Sequence, residues 1–263
     1  MRLADATWTD VRDADVDVAF LPIGSTEQHG PHAPLGTDTL NAVAVAEAAA
    51  AAYDAEPRAG VADGVSRGEA LVAPPIPVGV AEEHRAFDGT MWVSPDAFRT
   101  YVREAAASLT AHGVDRVAFV NGHGGNVEAL AEVARRFSRD PAHDGYGVAF
   151  TWFEAVGEHA GDMGHAGPLE TALLRATNPD LVREDRVDDA RDGGADRWGE
   201  WVSGVNLAHD SEEFTDNGVV GDPTAGDGER GRELLDLASD ALAELARAVV
   251  DREAVDRQVE NDG

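Results

Sequence analysis

Cysteine is absent from the 263 residues. That excludes disulfides, thiolate nucleophiles and sulfur-ligated metals, so any metal must be held by nitrogen and oxygen. Lysine is absent as well: the 21 basic residues are all arginine, against 50 acids. A chain with so few cations offers no basic patch to a phosphate backbone, and a nucleic-acid partner is not expected. Long apolar runs are missing too. No window reaches the ~18 uncharged apolar residues of a membrane span. The opening residues Met1-Arg2-Leu3-Ala4-Asp5 turn polar at once and lack the apolar stretch of a signal peptide. A cytoplasmic protein without a membrane partner is expected.

What is abundant is negative charge, a formal −29 at pH 7. The acids are spread along the whole chain rather than gathered in a tail, which argues for a hydrated surface adapted to high salt. At ~1 M salt the Debye length falls to ~3 Å and screens the mutual repulsion. A halophilic, haloarchaeal source is expected. The apolar fraction of 43% is enough to bury a sizeable core.

Short apolar runs alternate with helical stretches. Val16–Pro22, Ala70–Ile76, Val117–Val120 and Val148–Phe153 predict strands. Helices are predicted over Asp38–Tyr53, from Ser94-Pro95-Asp96 to Gly113, over Val127–Phe137, from Gly167 to Ala176, and over Glu229–Arg252. Asp38 or Thr39 is placed to cap the first of these. The Asp- and Gly-rich stretch Asp188–Val205 is predicted to be a loop serving as a lid or an oligomer contact. Strand–helix alternation predicts an α/β fold with a mostly parallel central sheet covered on both faces. Nothing splits the chain, so one domain over residues 1–263 is expected. Sites in such sheets lie at the carboxyl ends of the strands.

Polar clusters occur at those ends. The first runs from Gly24-Ser25-Thr26-Glu27-Gln28-His29-Gly30-Pro31-His32 to Gly36-Thr37-Asp38. Glu27 and His29, two apart, point to one side of an extended backbone. Together with Asp38 they suit Zn²⁺, Mn²⁺ or Fe²⁺, although a polar loop with helix-capping carboxylates has the same composition. The second, Asn121-Gly122-His123-Gly124-Gly125-Asn126, surrounds one histidine with glycines that let the backbone approach a ligand. It lacks the spacing of a phosphate-binding glycine loop. The third, Gly164-His165-Ala166-Gly167-Pro168-Leu169-Glu170-Thr171, sets His165 on a loop and Glu170 one turn into a helix, where it also balances the helix dipole.

With these motifs in this order, the chain resembles the creatininase (creatinine amidohydrolase-like) family. Pro74–Gly79, Glu83-His84, Gly89-Thr90 and Gly221-Asp222-Pro223 add to the likeness, which extends over most of the sequence. The resemblance implies a three-layer α/β/α fold, a hexameric homo-oligomer and a binuclear metal centre at the strand ends. By motif position Glu27 and His123 would bind one ion and His29 the other, with Asp38 bridging. There is one departure. Creatininase proper carries a metal-binding glutamate two residues after the histidine matched by His123, and here that position is Gly125. Glu170 is the expected substitute. This change, and Gly124 where the family carries an aromatic, count against creatinine as substrate.

The expected chemistry is amide hydrolysis by two divalent ions that activate water and polarise a carbonyl. His165, aligned with a family catalytic histidine, is expected to protonate the leaving nitrogen. Gln28, Asn121, Asn126 and His32 are expected to orient the ligands. His84, Arg85 and Trp152 are candidate contacts for a small-molecule substrate, with Arg85 offered to a phosphate. Family activities include creatinine ring opening, peptide cleavage in mycofactocin maturation, and deformylation of a formamidopyrimidine ribotide on the archaeal route to riboflavin and the deazaflavin cofactor. The acid-rich, lysine-free chain and its glycine-rich second motif point to the deformylase. A metal-stabilised oligomeric scaffold is the non-enzymatic alternative.

Overall fold

In the computed structural model of the chain, residues 1–55 and 68–252 are described. The expected single domain over 1–263 therefore takes in residues 56–67 and 253–263, which lie outside the described set. A short helix α1 (Trp8–Asp13), closed by a capping box from Thr7, leads into strand β1 (Val16–Ile23). Helix α2 (Thr37–Ala55), strand β2 (Glu69–Val72), helix α3 (Pro95–Thr110), strand β3 (Arg116–Asn121), helix α4 (Val127–Phe137) and strand β4 (Tyr146–Thr151) follow. The four strands form one parallel sheet in the order β2-β1-β3-β4.

Alternation along β1 explains the layers. Val18 and Phe20 face one way, with Val72, Ala118, Val120 and Phe150, onto α2, helix α6 (Pro168–Thr177) and the C-terminal helix α8 (Gly228–Val250). Ala19, Leu21 and Ile23 face the other way, with Leu71, Val117 and Phe119, onto α3 and α4. Both faces are dry, so the strand reads as an unbroken apolar run rather than an alternating one. Truncating a ring such as Phe20 or Phe119 to alanine would cost ~3–5 kcal/mol. Alanines 42, 46, 49 and 50 on α2 are buried, their small side chains letting neighbouring elements pack close.

Several boundaries differ from the sequence expectation. β2 stops at Val72 because Pro74, Pro75 and Pro77 supply no ladder donors; only Ile76 rejoins the sheet, as a single bridge to Ile23. β4 ends at Thr151, and Trp152 opens a one-turn helix α5 (Trp152–Ala155) instead of closing the strand. The predicted loop Asp188–Val205 takes in most of helix α7 (Val187–Asp192) and the first part of a tight antiparallel hairpin of β5 (Trp201–Val202) and β6 (Val205–Asn206). Ser94 caps α3 with Pro95 at its first position, and Gly113, at φ +86°, follows its end as expected. Asp38 and Thr39, the two expected caps, both lie inside α2, which already begins at Thr37.

Candidate metal centre

The segments that leave the carboxyl ends of the sheet meet over its edge. The β1–α2 loop carries Glu27 and His29 and delivers Asp38 on the first turn of α2, where the helix dipole favours a carboxylate. His123 lies two residues beyond β3, and His165 precedes α6, whose first turn carries Glu170. All six side chains are buried, Glu27 and His29 completely. The first-turn residue Asp38 stands between two rings: Oδ1 is 2.9 Å from His29 Nε2 and Oδ2 is 3.3 Å from His123 Nδ1. Glu27 Oε1 lies 3.1 Å from His123 Nδ1 and 3.6 Å from His165 Nδ1, and Glu170 Oε2 lies 3.9 Å from His29 Nε2.

The outward side of each ring fixes what its inward side offers. His123 Nε2 donates to the Val80 carbonyl at 2.7 Å, His165 Nε2 to the Gln28 carbonyl at 2.7 Å, and His29 Nδ1 to the Glu27 carbonyl at 3.2 Å. In the neutral ring the opposite nitrogen then carries a lone pair, the arrangement that metal-binding histidines adopt. Both oxygens of Glu27, both of Asp38 and His29 Nε2 are buried with no hydrogen-bond partner among the described residues. Bare buried carboxylates cost several kcal/mol each unless positive charge faces them. An all-oxygen-and-nitrogen donor set of this kind fits divalent Zn, Mn or Fe. One donor atom each from Glu27, Asp38 and His123 falls within 4.8 Å of the others, and the same holds for His29, His165 and Glu170.

The electrostatics agree. Burial works against a charged His29, but Asp38 and Glu170 outweigh it and raise its pKa well above the usual histidine value. His123 is raised in the same way, burial being overcome by Glu27 and Asp38. Burial pushes Glu27 up to about 7 despite His123, whereas His29 and His123 overcome burial to hold Asp38 at about 2. His165 goes the other way: burial, with His84 and His29 adding to it, takes its pKa well below the usual value. The expected proton donor thus presents a lone pair at Nδ1 and must take up a proton there before it can give one.

Support comes from the predicted neighbours. Asn121 Oδ1 accepts from the His123 backbone N–H at 3.1 Å, Asn126 ties Gly24 to Val80, and His32 Nε2 meets Thr171 Oγ1 at 2.9 Å. The Ala166 N–H donates to Glu170 Oε2 at 2.6 Å from a residue held at φ +53°, a strained conformation for alanine. Residue 125 has no room for a side chain: a Cβ there would lie 2.2 Å from the Val80 carbonyl oxygen and 2.6 Å from His123 Nε2.

A cavity of about 550 Å³ opens beside the centre, lined by His84, His123, His165, Glu170, Glu83, Phe153 and the segment Asp196-Arg197-Trp198. His84 thus lines the cavity, and the other two expected substrate contacts do not. Trp152 is fully buried in the core under the sheet, because the strand ends one residue before it, and its neighbour Phe153 faces the cavity instead. Arg85 lies on the exposed side of the turn that bears His84, its guanidinium held 2.6 Å from Asp210. The sequence reading missed Arg197 and Trp198, which lay inside the predicted lid with no motif to mark them. It named Glu83 only as part of the family likeness and gave it no role, though its carboxylate lies 3.7 Å from His123 Nε2.

The family model for creatinine amidohydrolase (creatininase) matches residues 4–246. The chain is 36% identical over 229 residues to a mycofactocin precursor peptide peptidase of Mycobacterium ulcerans, spanning 87% of this chain and 84% of that one. It is 28% identical over 211 residues to a creatinine amidohydrolase of Pseudomonas putida, spanning 71% and 75% of the two. In three dimensions it superposes on a mutant creatininase described as Zn-Zn type with a TM-score of 0.78 at 23% identity, covering 95% of this chain and 98% of that one.

Proposed function

The chain belongs to the creatininase family, and from that premise we propose that it hydrolyses the amide bond of a short peptide, using two divalent cations held at the strand ends. It is a metal-dependent amidohydrolase; the peptide, the number of ions and the residues that hold them are our reading. The observation that carries it is the set of bare carboxylate oxygens of Glu27 and Asp38, faced by histidine ring nitrogens and opening on a cavity.

Glu27, Asp38 and His123 would hold one ion, and Asp38, His29 and Glu170 the other. Cations so held lower the pKa of water and polarise a carbonyl oxygen. His165 takes a proton at Nδ1 from the attacking water and passes it from the same atom to the leaving nitrogen. Its depressed pKa suits a group that holds the proton only in passing. Phe153 and Trp198 keep the cavity wall apolar, which strengthens every charge interaction inside.

For the substrate, the relative of Mycobacterium ulcerans, a peptidase at 36% identity, favours a peptide over the formamidopyrimidine ribotide. The phosphate anchor expected for the ribotide, Arg85, is engaged by Asp210 away from the cavity, whereas Arg197 stands on its wall. A substrate with an anionic end, such as the free carboxylate of a peptide, suits that arginine. The same reading makes residues 1–263 one domain of a cytoplasmic homo-oligomer; Trp201, Val202, Val205 and Leu207 around the β5–β6 hairpin are exposed and supply an apolar surface for it. Among the described residues no helix is long and apolar enough to cross a membrane.

The test is a panel of short peptides, the formamidopyrimidine ribotide and creatinine, offered to metal-reconstituted protein in high salt, with product followed by mass spectrometry. Peptide cleavage is expected to dominate. Preference for the ribotide would restore the deformylase reading, and no turnover of any amide would leave the scaffold.

A further inference from the structure

Three of the four histidines at the centre anchor their outward ring nitrogen on a backbone carbonyl; His84 does not. Its orientation is set by Gln28, whose side-chain amide is pinned at both ends. Gln28 Oε1 accepts from the Gly30 N–H at 2.9 Å, and Nε2 donates to the Gly218 carbonyl at 3.0 Å. The amide therefore cannot be flipped, and the second N–H on Nε2 reaches His84 Nδ1 at 2.9 Å. An amide nitrogen only donates, so Nδ1 accepts and carries no proton. The Ser211 hydroxyl, whose Oγ lies 3.0 Å from the same Nδ1, gives its own proton to the Glu83 carbonyl at 3.0 Å. The proton of the ring is on Nε2.

That Nε2–H points inward, 3.5 Å from Glu27 Oε1, and makes no hydrogen bond among the described residues. The ring is stacked on His165 with centroids 4.2 Å apart and meets the edge of Trp198 at 5.5 Å, which holds it in place. Although His84, Glu27 and His165 bring donor atoms within 4.8 Å of one another, a protonated nitrogen cannot bind a metal. His84 lines the cavity, so its N–H is open to a substrate. Gly218 makes the lock possible: at φ +83°, a Cβ there would lie 2.0 Å from Gln28 Oε1.

We propose that His84 donates a hydrogen bond from Nε2–H to the carbonyl oxygen of the scissile amide, and that Gln28 is the positioning residue that fixes the required tautomer. The proposal rests on the amidohydrolase reading. The ring stays neutral throughout and gives no proton away, since doing so would leave an imidazolate. It stabilises the negative charge that gathers on the oxygen as water attacks, a role typically worth 10²–10³ in kcat.

The experiment combines ¹⁵N NMR of histidine-labelled protein with kinetics of His84→Phe, His84→Gln and Gln28→Glu on a cleaved amide. The His84 resonances are expected to show a protonated Nε2 and a bare Nδ1, and Gln28→Glu is expected to exchange them. His84→Phe, which keeps the stack on His165, is expected to lower kcat ~10²–10³-fold with KM changed far less and metal content unchanged. His84→Gln, which can return an N–H, is expected to recover part of that loss. A wild-type ring protonated at Nδ1, a His84→Phe enzyme with wild-type kcat, or one that loses a metal would each overturn the proposal. A wild-type protein that cleaves no amide would instead remove the hydrolase reading beneath it, which the wild-type assay reports separately.

Discussion

Glu83 Oε1 stands 2.8 Å from the point where a Cβ on Gly125 would be. A carboxylate from another loop thus crowds the place at which a side chain on residue 125 would start, and the glycine is required rather than incidental. Gly125→Ala is expected to push His123 off the Val80 carbonyl and Glu83 out of place, costing ~1–3 kcal/mol as an overpacked site. Metal content by mass spectrometry is expected to fall below that of wild type. Full occupancy with an unmoved His123 would show that the backbone gives way at no cost.

Glu170 is the carboxylate expected to serve in place of the missing glutamate. Glu170→Gln keeps an oxygen to accept the Ala166 N–H, so the fold should survive. The ion beside His29 should bind more weakly by at least tenfold, the ion beside His123 much less so, because Glu170 reaches only the first ring. Calorimetric titration separates the two. Equal affinities in mutant and wild type would take Glu170 out of the ligand set.

The donor cluster was legible in part because two of its loops leave strands directly, Glu27 and His29 after β1 and His123 after β3, and a parallel sheet delivers such loops to one edge. Asp38 and Glu170 stand instead on the first turns of α2 and α6, and His165 lies beyond α5. Glu27, His29, Asp38, His123, His165 and Glu170 all meet at that edge. The cavity wall was less legible. Trp152 and Phe153 differ by one residue at a strand end, and one residue decides which ring faces the core. Arg197 and Trp198 reach the cavity from a loop with no strand or motif to place it. The tautomers depend on carbonyls of Val80, Gln28 and Glu27, which no side-chain pattern announces.

The acid–base balance of the centre gives a prediction for the metal-free protein. His29 and His123 have pKa values raised in the folded state, so their stabilisation is complete below the unfolded value of ~6.5 and is lost as pH rises through the folded values. Above about pH 7 His32, His84 and His165, all lowered, are neutral whether folded or not and add nothing. With no lysine or cysteine in the chain, few other groups titrate before pH 9. The melting temperature in chelator should therefore fall from pH 7 to 9, by ~2–4 °C per kcal/mol lost. Manganese should raise it by more at pH 9 than at pH 7, because binding displaces those protons. A metal-free protein that gains stability over this range would contradict the raised values.

Arg197, and not the expected Arg85, stands on the cavity wall. Arg197→Ala is expected to raise KM for a peptide with a free carboxylate ~10-fold or more, as loss of a charge-assisted hydrogen bond of ~1.5–3 kcal/mol requires, and to leave an amidated peptide unaffected. Arg85→Ala removes an exposed ion pair with Asp210, worth ~0–1 kcal/mol, and should alter neither. Steady-state kinetics on the two peptides decide between them.

The most direct measurement is an anomalous difference map from crystals of the zinc-loaded protein. Two peaks are expected, one between Asp38 and His123 and one between Asp38 and His29, with His84 bound to neither. A map without peaks at Asp38, or with zinc on His84, would contradict the centre described above.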